Sequence, residues 1–185
     1  MPTFNVLIAT VGRPTLQRML DSLSPMLTKS DCLTLVFDGH SVAPEFNMQA
    51  FRCKIIIHCE PKCLGSWGHI IRNRYAALLE PRDFIMHADD DDVYIEGTFD
   101  KLRRSCNDVN TLYICKFKLG TRLIPSNTNI IRGNIGTPCG IIPFELNKKK
   151  QFTSLVGGDA EFYIELAKIT TPRFLDLVIY IVRPG

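Results

Sequence analysis

The stretch Asp83-Phe84-Ile85-Met86-His87-Ala88-Asp89-Asp90-Asp91-Asp92 carries the reading of this chain. Its first part, 83–88, is a short, largely apolar run, which predicts a buried strand. Its second part is four consecutive carboxylates. Like charges this close repel, and a fold rarely keeps such a cluster without a counterion. A strand turns alternate side chains to one side. Asp89 and Asp91 are therefore expected to face one ligand together, with Asp90 pointing the other way and Asp92 opening the next loop. Mg²⁺ and Mn²⁺ take oxygen ligands and keep waters and substrate phosphates in their shell, so one or two of these carboxylates plus a diphosphate would complete an octahedron. The competing reading is a solvated acidic turn that caps the following helix.

Working outward, the same kind of strand recurs. Residues 4–9 (FNVLIA), 33–37 (LTLVF), 54–57 (KIII) and 111–117 (TLYICKF) are apolar runs of strand length. Between them lie helical patterns. Leu16, Met19, Leu20 and Leu23 recur at i, i+3, i+4 and i+7, with Pro14 suited to the first turn. Residues 66–79 place Ile71, Tyr75, Leu78 and Leu79 on one face, and 98–106 turn Phe99, Leu102 and Cys106 inward. Unbroken apolar strands alternating with helices predict an α/β fold, a mostly parallel sheet with helices on both faces. Such sheets bind ligands at the carboxyl ends of their strands. Thr10 and Arg13, Asp38, and Asp89 to Asp92 all fall at those ends. Beyond residue 118, Gly and Pro punctuate short strand-like pieces, predicting a small antiparallel C-terminal portion. Helical spacing returns at Phe162, Leu166 and Ile169, after Gly157-Gly158-Asp159, and 174–182 reads as one or two closing strands.

The 185 residues are 45% hydrophobic and 22% charged, a globular composition for one domain. The 22 Lys and Arg against 19 Asp and Glu leave +3, too little to imply a nucleic-acid partner. No apolar stretch approaches the ~20 residues of a membrane helix. The N-terminus has no basic segment before its apolar run, so a secretory signal is not expected. Seven scattered cysteines read as reduced thiols of a cytoplasmic protein. Cys59 and Cys63, with His58 adjacent, lack the second half of a zinc set.

Several blocks, in chain order, resemble family 2-like glycosyltransferases of the GT-A fold. Asn5 to Pro14 resembles the opening strand and nucleotide-holding loop. Val36-Phe37-Asp38-Gly39 resembles the second strand end, and Gly65 through Arg72-Asn73 the Gly-rich helix entry before an Arg-Asn pair. Phe84 to Tyr94 resembles the "DxD" segment, and Gly157-Gly158-Asp159 the late acidic motif. The pattern is also similar to N-terminal glycosyltransferase domains of chlorovirus capsid-glycan proteins. The resemblance implies a single GT-A domain, with a nucleotide-binding half at about 1–117 and an acceptor half at about 118–185. It implies a UDP-sugar donor, such as UDP-rhamnose or UDP-glucose, and a glycan acceptor. Thr10, Arg13, Asp38, Arg72, Asp89 and Asp90 would then meet the donor. Asp91, with Asp89, would hold Mn²⁺ or Mg²⁺. Asp159 would deprotonate the acceptor hydroxyl for an inverting hexosyl transfer. The C-terminal His that often serves such enzymes as a metal ligand is missing, since the last His here is His87. Larger relatives extend beyond the point where this sequence stops, so further domains of a longer chain are among the expected partners.

Each residue also has a plainer role open to it. Asp159 could cap a helix, Asp38 could serve a turn, and Trp67 could be a core residue or a base- or sugar-stacking platform. His87 reads as a packed histidine, and Asn134 to Gly140 as an acceptor-side loop. Two other classes compete. One is a metal-dependent nucleotidyltransferase or phosphohydrolase, weakened by the absence of a phosphate loop and by Thr rather than Asp at position 10. The other is a non-catalytic nucleotide-sugar-binding module.

Overall fold

The computed structural model describes residues 1–184. Nine strands form one sheet: β1 (Phe4–Thr10), β2 (Cys32–Asp38), β3 (Lys54–Glu60), β4 (Phe84–Asp89), β5 (Val93–Tyr94), β6 (Tyr113–Leu119), β7 (Arg122–Ile124), β8 (Gly140–Pro143) and β9 (Arg173–Val182). They lie in the order β3-β2-β1-β4-β8-β6-β9-β5, with β7 on β6. The first four are mutually parallel. β8 joins β4 and β6 antiparallel to both, and β9 runs parallel to β6. This is the expected α/β architecture with its antiparallel C-terminal portion.

The helices are α1 (Thr15–Leu23), α2 (His69–Tyr75), α3 (Thr98–Ser105), α4 (Phe144–Asn147) and α5 (Gly158–Ala167). Alternation along β1 divides its side chains between two covered faces. Phe4, Val6 and Ile8 pack in the cluster that holds Leu16, Met19, Leu20 and Leu23 of α1. Leu7 points to the other face, where Ile71 and Tyr75 of α2 meet Leu79, Val36 and Ile85. Both faces are covered, so apolar residues dominate, and the buried polar Asn5 is satisfied by Thr34 and the Glu80 carbonyl.

Three expectations change. The helix expected over 66–79 forms only at 69–75. Residues 66–68 are an irregular 3-10 turn, and Leu78 faces solvent while Leu79 is buried. The closing segment is a single ten-residue strand, and Ile169 lies exposed beyond the end of α5. β5 and α4, of two and four residues, are too short for any periodicity to reveal. All seven cysteines are free. Among the described residues, no helix is long and apolar enough to cross a membrane.

Candidate functional site

The carboxyl ends of β1, β2 and β4 open into a cleft of about 460 Å³. Thr10, Arg13, Asp38, Asp89, Asp90 and Asp91 lie on one part of its wall, and Thr137, Gly157 and Asp159 on another. Residues separated by up to 149 positions therefore meet where a parallel sheet offers a ligand crevice. The parallel register sets the spacing, with Ala9 beside Asp89 and Thr10 beside Phe37, one residue before Asp38.

The four aspartates divide into two kinds. Asp90 and Asp92 are buried and Asp89 and Asp91 are partly exposed. The Asp90 carboxylate accepts hydrogen bonds from the Thr10 hydroxyl at 2.6 Å and the Arg13 guanidinium at 2.8 Å. Thr10 Oγ1 accepts in turn from the Gly12 N–H at 2.9 Å. Asp90 thus holds the loop after β1 in shape while also lining the cleft. Asp92 accepts the Arg183 N–H at 2.8 Å, and burial raises its carboxyl to about 7, with Asp89 and Asp91 adding to the shift. β4 ends at Asp89, and Asp90 and Asp91 form a turn, so strand alternation stops there: Asp89 and Asp91 share the cleft as expected, but Asp90 lines it with them and does not point away.

Arg72 is placed differently from the sequence expectation. It is fully buried behind Asp89 and off the cleft wall. One Nη donates to the Trp67 carbonyl at 2.8 Å. The other donates to the Ala88 carbonyl at 3.2 Å and to Asp89 at 2.5 Å. It is a clamp on the site's frame. Asn73, its neighbour, exchanges two 2.8 Å hydrogen bonds with the backbone of Phe152. Together the pair fastens α2 to the segment leading into α5.

Asp38 is nearly buried and accepts the N–H groups of Leu64 and Gly65 at 2.6 and 2.9 Å. Its turn role is real, and it still lines the cleft. Asp159 does not cap its helix. Gly157, at φ +79°, occupies that position, and Asp159 lies in the first turn. Its two oxygens accept the N–H groups of Ala160 at 2.9 Å and Thr137 at 3.2 Å, tying the loop at 134–140 to α5. The glycine pair is explained by space. A Cβ on Gly158 would lie 2.1 Å from the Thr153 carbonyl and 2.9 Å from His69 Nδ1.

Three contributors, Arg183, Tyr180 and His69, are not singled out by the sequence, and for a fourth, Trp67, the sequence leaves core and stacking platform both open. Arg183 pairs with Asp91 at 3.3 Å from the far end of β9, brought there by the β5–β9 pairing. Tyr180 accepts the Asp89 N–H at 2.9 Å. His69 lines the cleft, and its Nδ1–H donates to the Thr153 carbonyl at 2.8 Å; burial lowers its pKa and keeps the ring neutral. Trp67 stands 65% exposed in the cleft instead of in the core. His87, by contrast, is packed as expected. It is paired with Asn147 at 2.8 Å and depressed by burial to about 3.

The donor set was tested for a divalent ion. Among the described residues, no three His, Cys, Asp or Glu side chains gather round one point. A hard ion that keeps waters and substrate phosphates needs only one or two carboxylates. Asp89 and Asp91 meet that need, each partly exposed to the cleft, Asp89 held from behind by buried Arg72 and Asp91 paired with exposed Arg183. Five aspartates line the cleft against Arg13, Arg183 and the buried Arg72, an excess of two negative charges. That excess of negative charge disfavours an anion entering the cleft unaccompanied by positive charge.

The mostly parallel, curled sheet with its strand-end cleft is an α/β fold of the GT-A type. Among solved structures the chain is similar to S. aureus TarS, with a TM-score of 0.75 and 16% identity over 98% of this chain and 37% of that one. It is also similar to TarS 1–349 in complex with UDP (TM-score 0.74, 15% identity, 98% of this chain and 60% of that one). The UDP-GlcNAc complex of the same fragment gives 0.73 and 15% over 100% of this chain and 60% of that one. The chain thus spans 37–60% of the length of the structures it matches. No family model and no curated protein matches the sequence.

Proposed function

We propose that this chain is a metal-dependent, inverting glycosyltransferase that moves a hexosyl group from a UDP-sugar to a glycan hydroxyl. The observation that carries the reading is that one strand-end cleft is lined both by the accessible Asp89–Asp91 pair and by a separate carboxylate, Asp159. The UDP and UDP-GlcNAc complexes of the TarS fragment, which shares the fold, support a uridine nucleotide in that position. The donor sugar suggested by the sequence resemblance is glucose or rhamnose, and the chain would act as a single domain or as part of a longer protein.

In this reading the nucleoside lies toward Asp38 and the loop from Thr10 to Arg13. Asp91 and Asp89 hold Mn²⁺ or Mg²⁺, which would supply charge neutralisation to the diphosphate leaving group. Arg13 and Arg183 add positive charge at the same end, preorganised by their pairing with Asp90 and Asp91. Asp159, oriented by the Thr137 N–H, takes the proton of the acceptor hydroxyl. One base and no protein nucleophile give inversion at the anomeric carbon.

Calorimetry of UDP with Mn²⁺ tests the assignment. Binding is expected with Mn²⁺ and strongly reduced with excess chelator. Equal affinity in both would remove the metal, and no binding in either would remove the glycosyltransferase reading itself. Arg183→Ala is expected to weaken UDP by about two- to fivefold, an exposed ion pair being worth under about 1 kcal/mol. The difference should shrink in high salt. A salt-independent loss would mean that Arg183 acts through the fold.

A further inference from the structure

Trp67, the chain's single tryptophan, is held where tryptophan is costly to hold. Its ring is 65% exposed on the cleft wall, although indoles are usually largely buried. Its backbone lies at φ +52°, after Ser66 at +54° and between Gly65 at +65° and Gly68 at +76°. Four successive residues in the left-handed region, two of them with side chains, cost on the order of 1–2 kcal/mol for each non-glycine residue. The turn persists because Arg72 grips the Trp67 carbonyl, and because a Cβ at Gly68 would come within 2.7 Å of the Ala9 side chain. The fold thus keeps a strained turn whose visible result is an indole presented to the cleft. Strain of this kind, in an observed outlier, points to a ligand.

The surroundings of the ring choose the ligand. Its centroid lies 6.3 Å from that of His69, whose Nδ1–H is bonded to Thr153 and which abuts Gly158, next to Asp159. Val156, 73% exposed, lines the cleft beside Gly157 and Asp159. The ring thus neighbours the Asp159 end through His69, while its turn begins at Gly65, whose N–H is accepted by Asp38. An apolar platform next to a carboxylate matches a pyranose, which has a C–H face and a rim of hydroxyl donors. An anionic acceptor would meet the repulsion of Asp89, Asp91 and Asp159. We infer that Trp67 is the acceptor platform: the apolar face of a neutral pyranoside stacks on its indole and turns a hydroxyl to Asp159. The inference rests on the glycosyltransferase reading and adds to it the class of acceptor and the residue that selects it.

Because Trp67 is the only tryptophan, its fluorescence reports this ring alone. The probes are uridine, UDP with Mn²⁺, and then methyl glycosides of glucose, galactose, mannose and rhamnose added at saturating UDP. At least one glycoside is expected to shift the emission saturably, with little response to uridine. In Trp67→Ala, whose side chain is exposed and dispensable for folding, that glycoside's Kd by saturation-transfer NMR should rise about tenfold, while the UDP Kd stays within about twofold. A full shift with uridine alone, or weakened UDP with unchanged glycoside binding, would make Trp67 a donor-base platform and overturn the inference. Silence toward every glycoside while calorimetry shows UDP bound would overturn it and leave the glycosyltransferase reading standing. Absence of UDP binding would overturn both.

Discussion

Asp159→Asn is expected to lower sugar transfer by about 10²–10⁴-fold, the usual contribution of a positioned general base, while UDP binds as before. The substitution is nearly isosteric. An amide oxygen can still accept from the Thr137 N–H, so the loop at 134–140 keeps its tie to α5. What the amide cannot do is take a proton. The structural cost is the loss of one negative charge in the first turn of a helix and of the Ala160 N–H bond, since an amide keeps a single acceptor oxygen; together these cost about 1–2 kcal/mol, which leaves the variant folded. Calorimetry of UDP and a melting curve separate the two effects. NMR of the wild-type product supplies the matching stereochemical check, since a single base and no covalent intermediate require inversion. A retained configuration would refute the single-base mechanism, and near-normal transfer by the variant would reduce Asp159 to a structural tie.

The sheet was legible because burial on both faces leaves an unmistakable mark. Phe4 to Ala9, Leu33 to Phe37 and Phe84 to Ala88 are apolar apart from the buried, hydrogen-bonded Asn5, Thr34 and His87, because helices cover both faces of the strands they form. The cleft was legible because polar residues gather at the carboxyl ends of those strands. Individual roles were less so, since a sequence names a carboxylate without naming its partner. Asp90 and Asp89 are adjacent and chemically alike, but only the structure shows Asp90 spent on Thr10 and Arg13 and Asp89 left facing the cleft. Arg183 depends on a two-residue strand pairing with a segment more than 80 positions away, which no local pattern can announce. Trp67, open in the sequence to a core place or a stacking platform, could not be assigned between them because a left-handed turn at Ser66 and Trp67 contradicts the preferences of both residues, and only the Arg72 grip makes it stable.

That grip makes Arg72→Ala the most damaging substitution expected outside the cleft wall. The side chain is fully buried, so truncation opens a cavity and removes the cation over the Phe152 ring at 5.8 Å. The carbonyls of Ala88 and Trp67 lose their donor, and Asp89 loses its partner. Each orphaned buried acceptor costs about 1–3 kcal/mol, and losing the Asp89 pair adds less than a fully buried one would, because the Asp89 side chain is 37% exposed. Since these overlap, the net loss is expected at about 3–5 kcal/mol, read as a lower urea midpoint at unchanged m-value. Arg72→Lys should recover only part of it, because a single ammonium cannot reach three acceptors in a planar fork. Donor binding should fall as well, through Asp89 and the relaxed turn. A double-mutant cycle separates this positioning role from the direct contact that the sequence suggested. If Arg72 acts through Asp89, then Asp89→Asn should weaken UDP in the wild type and add little in the Arg72→Ala background. Full additivity would place Arg72 in contact with the donor itself, against the buried clamp described above. A stability loss below about 1 kcal/mol would show that the turn carrying Trp67 holds its shape without the arginine.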